Sequence, residues 1–270
     1  MSERGDYPIG VPCWVDTLQP DPFITIRFYE SLFGWKFISG GKIRQEPPGD
    51  YYVAQLRGRD VAGVGPLLRK AAGLQPNWTT HIRVESANAT LAAAIAAGGK
   101  ALIEPFDLTP AGRMALLADP TGATFAVWKP KHRRGAQVIN EAGAWALSTL
   151  NTNDLRASQE FYGSVFGWKA EVLSGGQLTI FRLPGYFGGE PTQPVPRDVV
   201  AIMQSVNPGQ HPQWGVDFWI DDVDLVSERA AELGGVVVLE PRDSGSFRYA
   251  VLEDSQGAVF TVSKMRAQSS

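Results

Sequence analysis

FYESLFGWKF, at Phe28 to Phe37, and FYGSVFGWKA, at Phe161 to Ala170, are two spellings of one pattern set 133 positions apart in a chain of 270 residues. The echo continues downstream. GGKALIEPFDLTPAGRMALLADPTGATFAVWKP, Gly98 to Pro130, is answered by GGVVVLEPRDSGSFRYAVLEDSQGAVFTVSKM, Gly234 to Met265. Gly-Gly, Glu-Pro, an Asp (Asp119, Asp254) and a Gly (Gly122, Gly257) recur in the same order. Self-similarity at a fixed spacing marks a duplicated structural unit. The chain is therefore read as a first module over residues 8–130, a linker over 131–141 and a second module over 142–266.

Each module reads as the same element order, twice. VPCWVDTL is a strand; Asp21 and Pro22 open a helix whose apolar face carries Phe28, Tyr29, Leu32 and Phe33, and Gly34 closes it. Three strands follow. TTHIRVES, the alanine-rich helix from Ala89 and three later strands repeat that βαβββ order within the module. Four such units carry too few helices for a doubly wound sheet, so the expected class is α+β with cupped mixed sheets. Alternate residues line each concave face, and two faces turned towards each other predict a cavity between the modules. The duplicated aromatic phrase is expected to be core, anchoring each first helix to its own sheet.

Bulk properties narrow the function. A formal net charge of -3 offers no general attraction for nucleic acid or an anionic membrane, and KPKHRR, Lys129 to Arg134, reads as a solvated linker. One cysteine cannot form an internal disulfide, no long apolar run occurs, and a cytoplasmic protein is the expectation. No nucleophile elbow or phosphate-binding glycine loop is present. The Pro- and Gly-rich stretch from Pro184 to Asp198 reads as a surface insertion or a lid.

The FY(x)SLFGW phrase, the His81 strand with its alanine helix and Gly-Gly, and the ADPTGATFAVW turn together resemble the vicinal oxygen chelate superfamily, the glyoxalase/bleomycin resistance/dioxygenase fold. The likeness spans both modules. It implies paired βαβββ motifs around a cleft, where many members hold a divalent metal through His and Glu and others trap a small molecule without one. Position by position, the ligands it implies fall on Trp14 and Leu147, on His81 and Asp217, and on Ala126 and Thr261. Only His81 and Asp217 are competent ligands, short of the three or so protein donors that a zinc or iron site needs. No metal or other cofactor is expected.

The concave faces are expected to present Trp14, Asp16, His81, Arg83 and Trp128 in the first module, and Leu147, Thr149, Asp217, Trp219, Thr261 and Ser263 in the second. Aromatic walls with few charges suit a flat organic molecule, while Arg83 is placed to meet an anionic group or an internal carboxylate. The primary reading is a metal-independent small-molecule binding protein, monomer or homodimer. One alternative is a metal-free lyase or isomerase using His81 with Asp217 or Arg83; another is a metal-dependent lyase or dioxygenase.

Overall fold

The computed structural model describes residues 4–69, 76–173, 178–188, 197–206 and 209–266. The first module runs β1 (Pro12–Gln19), α1 (Pro22–Phe33), β2 (Lys36–Ile43), β3 (Gly49–Leu56), β4 (Arg59–Pro66), β5 (Trp78–Arg83), α2 (Ala87–Ala96), β6 (Lys100–Leu108), β7 (Gly112–Ala118) and β8 (Thr124–Pro130). The second repeats it as β9 (Trp145–Thr152), α3 (Leu155–Phe166), β10 (Lys169–Val172), β11 (Thr179–Arg182), β12 (Val199–Ser205), β13 (Gln213–Trp219), α4 (Val223–Glu232), β14 (Val236–Ser244), β15 (Phe247–Glu253) and β16 (Val259–Met265).

The local chemistry of the repeat is visible at its helices. Asp21 caps α1 by accepting from the backbone N–H groups of Phe23 and Ile24, with Pro22 in the first turn. Asp154 caps α3 through the N–H of Ala157. Both helices stop at a left-handed glycine, Gly34 (φ 69°) and Gly167 (φ 74°), a conformation that costs other residues a Cβ clash.

Each module forms one eight-stranded sheet, in the orders β2-β3-β4-β1-β5-β8-β7-β6 and β10-β11-β12-β9-β13-β16-β15-β14. The two βαβββ halves of a module join through antiparallel β1–β5 or β9–β13. Within each half the first and last strands are parallel, as in β1–β4 and β5–β8. A complete cup is thus built inside one module.

The cups do not face each other, which corrects the expected cavity between modules. Tyr29 of α1 packs on Trp35 and Trp78 of its own module and on Phe260 of the other; Trp35 also meets Phe218. Phe218 and Phe260 alternate with Asp217 and Thr261, so they lie on the convex side. The convex faces therefore meet through the helices and the cups open away from one another. The aromatic phrase is core, but it fastens each helix between both sheets rather than to its own alone.

Polar contacts repeat across this interface with near two-fold symmetry. Tyr29 Oη donates to Asp254 Oδ2 and accepts from Trp78 Nε1; Tyr162 Oη donates to Asp119 Oδ2 and accepts from Trp214 Nε1. Trp35 and Trp168 donate across the interface to the carbonyls of Gly143 and Gly10. Burial raises Asp119 and Asp254 above the usual carboxylate range, while turn N–H groups and the tyrosines pull them back. The recurring Arg113 and Arg248 pair with Asp107 and with Asp224 and Asp243 respectively.

The linker is not a free tether. Ala136 N donates to Cys13 O, Gln137 N to Asp60 O, and Ala136 and Val138 are buried. It runs across the rim of the first cup.

Candidate functional site

In the first cup, Trp14, Asp16, His81 and Trp128 come together around Tyr51, a residue the sequence reading did not select. Tyr51 Oη donates to Asp16 Oδ2 and accepts from Trp14 Nε1, both at 2.9 Å. Burial and the Asp16 charge push its phenol well above its usual pKa, so it stays a donor. The ring lies against β4, where a Cβ on Gly63 would fall 1.8 Å from the hydroxyl; glycine there is the condition for Tyr51 to enter. About 20 Å³ of space remains, room for one water. His81 Nε2 approaches Asp16 Oδ1 to 2.8 Å, off the line of a hydrogen bond, so both ring nitrogens lack a hydrogen-bond partner. Arg83 leaves the group: its Nε lies 3.5 Å from Asp6 Oδ1 rather than near Asp16 or Glu85. Cys13 is buried on the other face, and burial pushes its thiol far up.

The second cup has the opposite character. Strand register pairs Thr149 with Ile202 and Ile202 with Ile180, as Asp16 pairs with Gly63 and Gly63 with Val53. Leu178 therefore takes the place of Tyr51, and Ile202 that of Gly63. Leu147 and Ser263 stand in for Trp14 and Trp128, and Tyr249 for Met114. The loss of two tryptophans and the tyrosine outweighs the gains, leaving a cleft of about 680 Å³ lined by Leu147, Thr149, Ile202, Asp217, Tyr249 and Thr261 among others.

A smaller recess of about 90 Å³ continues from it, sharing Leu147, Ile202, Asp217 and Phe247 and adding Asn140, Trp145, Tyr186 and Trp219. Three of its polar atoms are buried with no protein partner: Asn140 Oδ1, Trp145 Nε1 and Asp217 Oδ1. Asp217 Oδ2 accepts from Ser263 Oγ at 2.6 Å. Burial pushes the Asp217 carboxyl up to about 7, with the Ser263 bond acting against that shift. The group can therefore exist as neutral acid or as carboxylate near neutral pH. Trp145 lies two residues before Leu147, so strand alternation could have found it; Asn140 was concealed by its place in the linker. Of the Pro184 to Asp198 loop, residues 189–196 lie outside the described residues.

The metal set implied by the fold family is testable in the register. Trp14, His81 and Ala126 are lateral neighbours on β1, β5 and β8; Leu147, Asp217 and Thr261 are neighbours on β9, β13 and β16. Each trio brings one strong metal ligand. Among the described residues no three His, Cys, Asp or Glu side chains converge. These residues do not fit the divalent ion that such trios hold through His and Glu.

Comparison with known proteins agrees with the fold. Over 277 residues the chain is 34% identical to a Mycobacterium tuberculosis protein named "Putative glyoxylase CFP32", covering 99% of this chain and 100% of that one. The chain belongs to the vicinal oxygen chelate superfamily. A glyoxalase-like domain model matches residues 148–263, within the module whose cup is open. The anthracycline biosynthesis protein DnrV of Streptomyces peucetius is 31% identical, with 95% of this chain and 94% of DnrV aligned. Among solved structures, a Mn(II)-bound glyoxalase from Novosphingobium aromaticivorans superimposes with TM-score 0.62 at 16% identity, covering 97% of this chain and 83% of that one. The 2,3-dioxygenase LapB from Pseudomonas sp. KL28 gives 0.61 at 12% identity, with 96% and 95% covered. At those identities the structures establish this superfamily's fold, not an activity.

Proposed function

We propose that the second cup is the working site and holds one small, flat, mostly apolar organic molecule without a resident divalent metal. One observation carries this reading: Asn140 Oδ1, Trp145 Nε1 and Asp217 Oδ1, buried and unpartnered, border a single recess at the end of a cleft of about 680 Å³. An unsatisfied buried polar group costs about 1–3 kcal/mol, and a ligand carrying one donor and one acceptor would answer all three. The cleft volume is that of an ordinary small-molecule site. The resemblance to DnrV, named for anthracycline biosynthesis, favours a polycyclic aromatic carrying phenol and carbonyl groups.

Asp217 gives such a site two modes. As neutral acid it donates to a ligand carbonyl; as carboxylate it accepts from a phenol or takes a proton from a carbon acid. Native mass spectrometry of the full chain, with elemental analysis and then release under denaturing conditions, tests the reading. The expected result is an organic adduct at one per chain with substoichiometric metal. A divalent ion near one per chain would overturn it.

A further inference from the structure

We propose that a basic groove at the mouth of the first cup is a separate binding site for a compact, multiply charged oxyanion, a phosphate monoester or a small dicarboxylate. The groove encloses about 560 Å³ and is lined by Arg4, Arg59, His132, Arg133, Arg134 and Asp60, among others. It adjoins the Asp217 recess through Arg4 and Tyr7, which line both, shares no lining residue with the larger Asp217 cleft, and does not depend on the function assigned there. Even with Arg59 left aside, Arg4, Arg133 and Arg134 against one lining carboxylate make it locally cationic in a chain whose formal net charge is -3.

The groove is built rather than incidental. The segment KHRRGAQ, which overlaps the KPKHRR stretch expected to be solvated, is pinned by Lys131 N and Arg133 N donating to Ala111 O, Ala136 N to Cys13 O and Gln137 N to Asp60 O. Arg133 is held over the Trp14 ring at 5.8 Å, with Nε 3.4 Å from Asp60 Oδ2, and its side chain is only 18% exposed. Arg134 is 63% exposed and reaches Asp6 Oδ2 at 3.4 Å, a carboxylate already shared with Arg83. Asp6 and Asp60 thus leave positive charge over. Trp128 Nε1 donates to Arg133 O, which ties the groove to the wall of the first cup.

Gathering like charges is unfavourable unless something offsets it. Guanidinium forks match the paired oxygens of a phosphate or carboxylate, and a dianion would neutralise two of them at once. A monoanion or a neutral ligand would leave the repulsion among these arginines largely in place.

Calorimetric titration of the full chain with inorganic phosphate and, separately, with malonate tests this, using Arg134→Gln and the double variant His132→Gln/Arg134→Gln. Both side chains lie on the groove wall, and native circular dichroism confirms that the variants fold. Saturable binding, weakened by added salt and reduced ~tenfold or more in the double variant, is expected. Binding of phosphate alone assigns a phosphate ester; binding of malonate alone assigns a dicarboxylate. The proposal is overturned if neither anion saturates, if the double variant binds like the native chain, or if Asp217→Asn abolishes binding and the groove variants do not.

Discussion

Asp217 occupies the position where the family pattern places a histidine, and replacing that histidine turns a metal ligand into a proton-holding group. Its folded-state pKa of about 7 lies above the ordinary carboxylate value. The folded protein therefore binds a proton that the unfolded chain has released between about pH 4 and pH 7, and stability falls as pH rises through that window. Asp217→Asn should make the protein more stable than the native chain at pH 8, by on the order of 2 kcal/mol. The gain should shrink as pH falls towards 4; urea melts across this range check it, and a pH-independent difference would contradict the assigned protonation. Tyr51 is the opposite case, a side chain that fills its own cup. Tyr51→Ala should destabilise the chain by about 3–5 kcal/mol, and 4-cresol should restore part of the lost melting temperature by occupying the vacated space. His81 could be placed on the concave face from the sequence because it alternates with Ile82 and Thr80 along its strand. Tyr51 could not, because only the register of β3 on β4 and β1 brings its hydroxyl to Asp16 and Trp14.

At the scale of elements, α1 and α3 are the fasteners of the molecule. The sequence disclosed their caps, apolar faces and glycine stops, since those signals lie within a few residues of one another. It did not disclose their partners. Asp119 and Asp254 read as turn residues, and they are, yet each also receives a tyrosine from the other module. Such a contact joins positions 225 apart in one case and 43 in the other, and no local pattern records it. Tyr162→Phe strands Asp119 Oδ2 and the Trp214 N–H, whereas Tyr29→Phe strands the Trp78 N–H but leaves Asp254 Oδ2 accepting from Gln19 Nε2. Each should cost about 1–3 kcal/mol in denaturant unfolding, with the larger loss in Tyr162→Phe. A larger loss in Tyr29→Phe than in Tyr162→Phe would contradict this account.

The whole molecule is a duplicated fold whose two copies have diverged in what their cups contain. Both the duplication and the cupped sheets could be read from the repeat, because a repeated pattern constrains architecture directly. Which way the cups face could not, since the alternation of a strand defines two faces without saying which one the helices will cover. The interior volumes were hidden for a related reason: Leu178 and Tyr51 are equivalent only through strand pairing, and the difference between them helps decide whether a cup is closed or open. The central claim is that the open second cup binds a flat organic ligand without a metal. Its most direct test is fluorescence titration of the full chain with 1,8-dihydroxyanthraquinone, with and without EDTA, beside Thr149→Trp, which fills the cleft. The account predicts one site per chain, unchanged by EDTA and lost in Thr149→Trp; binding that EDTA abolishes and a divalent ion restores, or that survives the filled cleft, would contradict it.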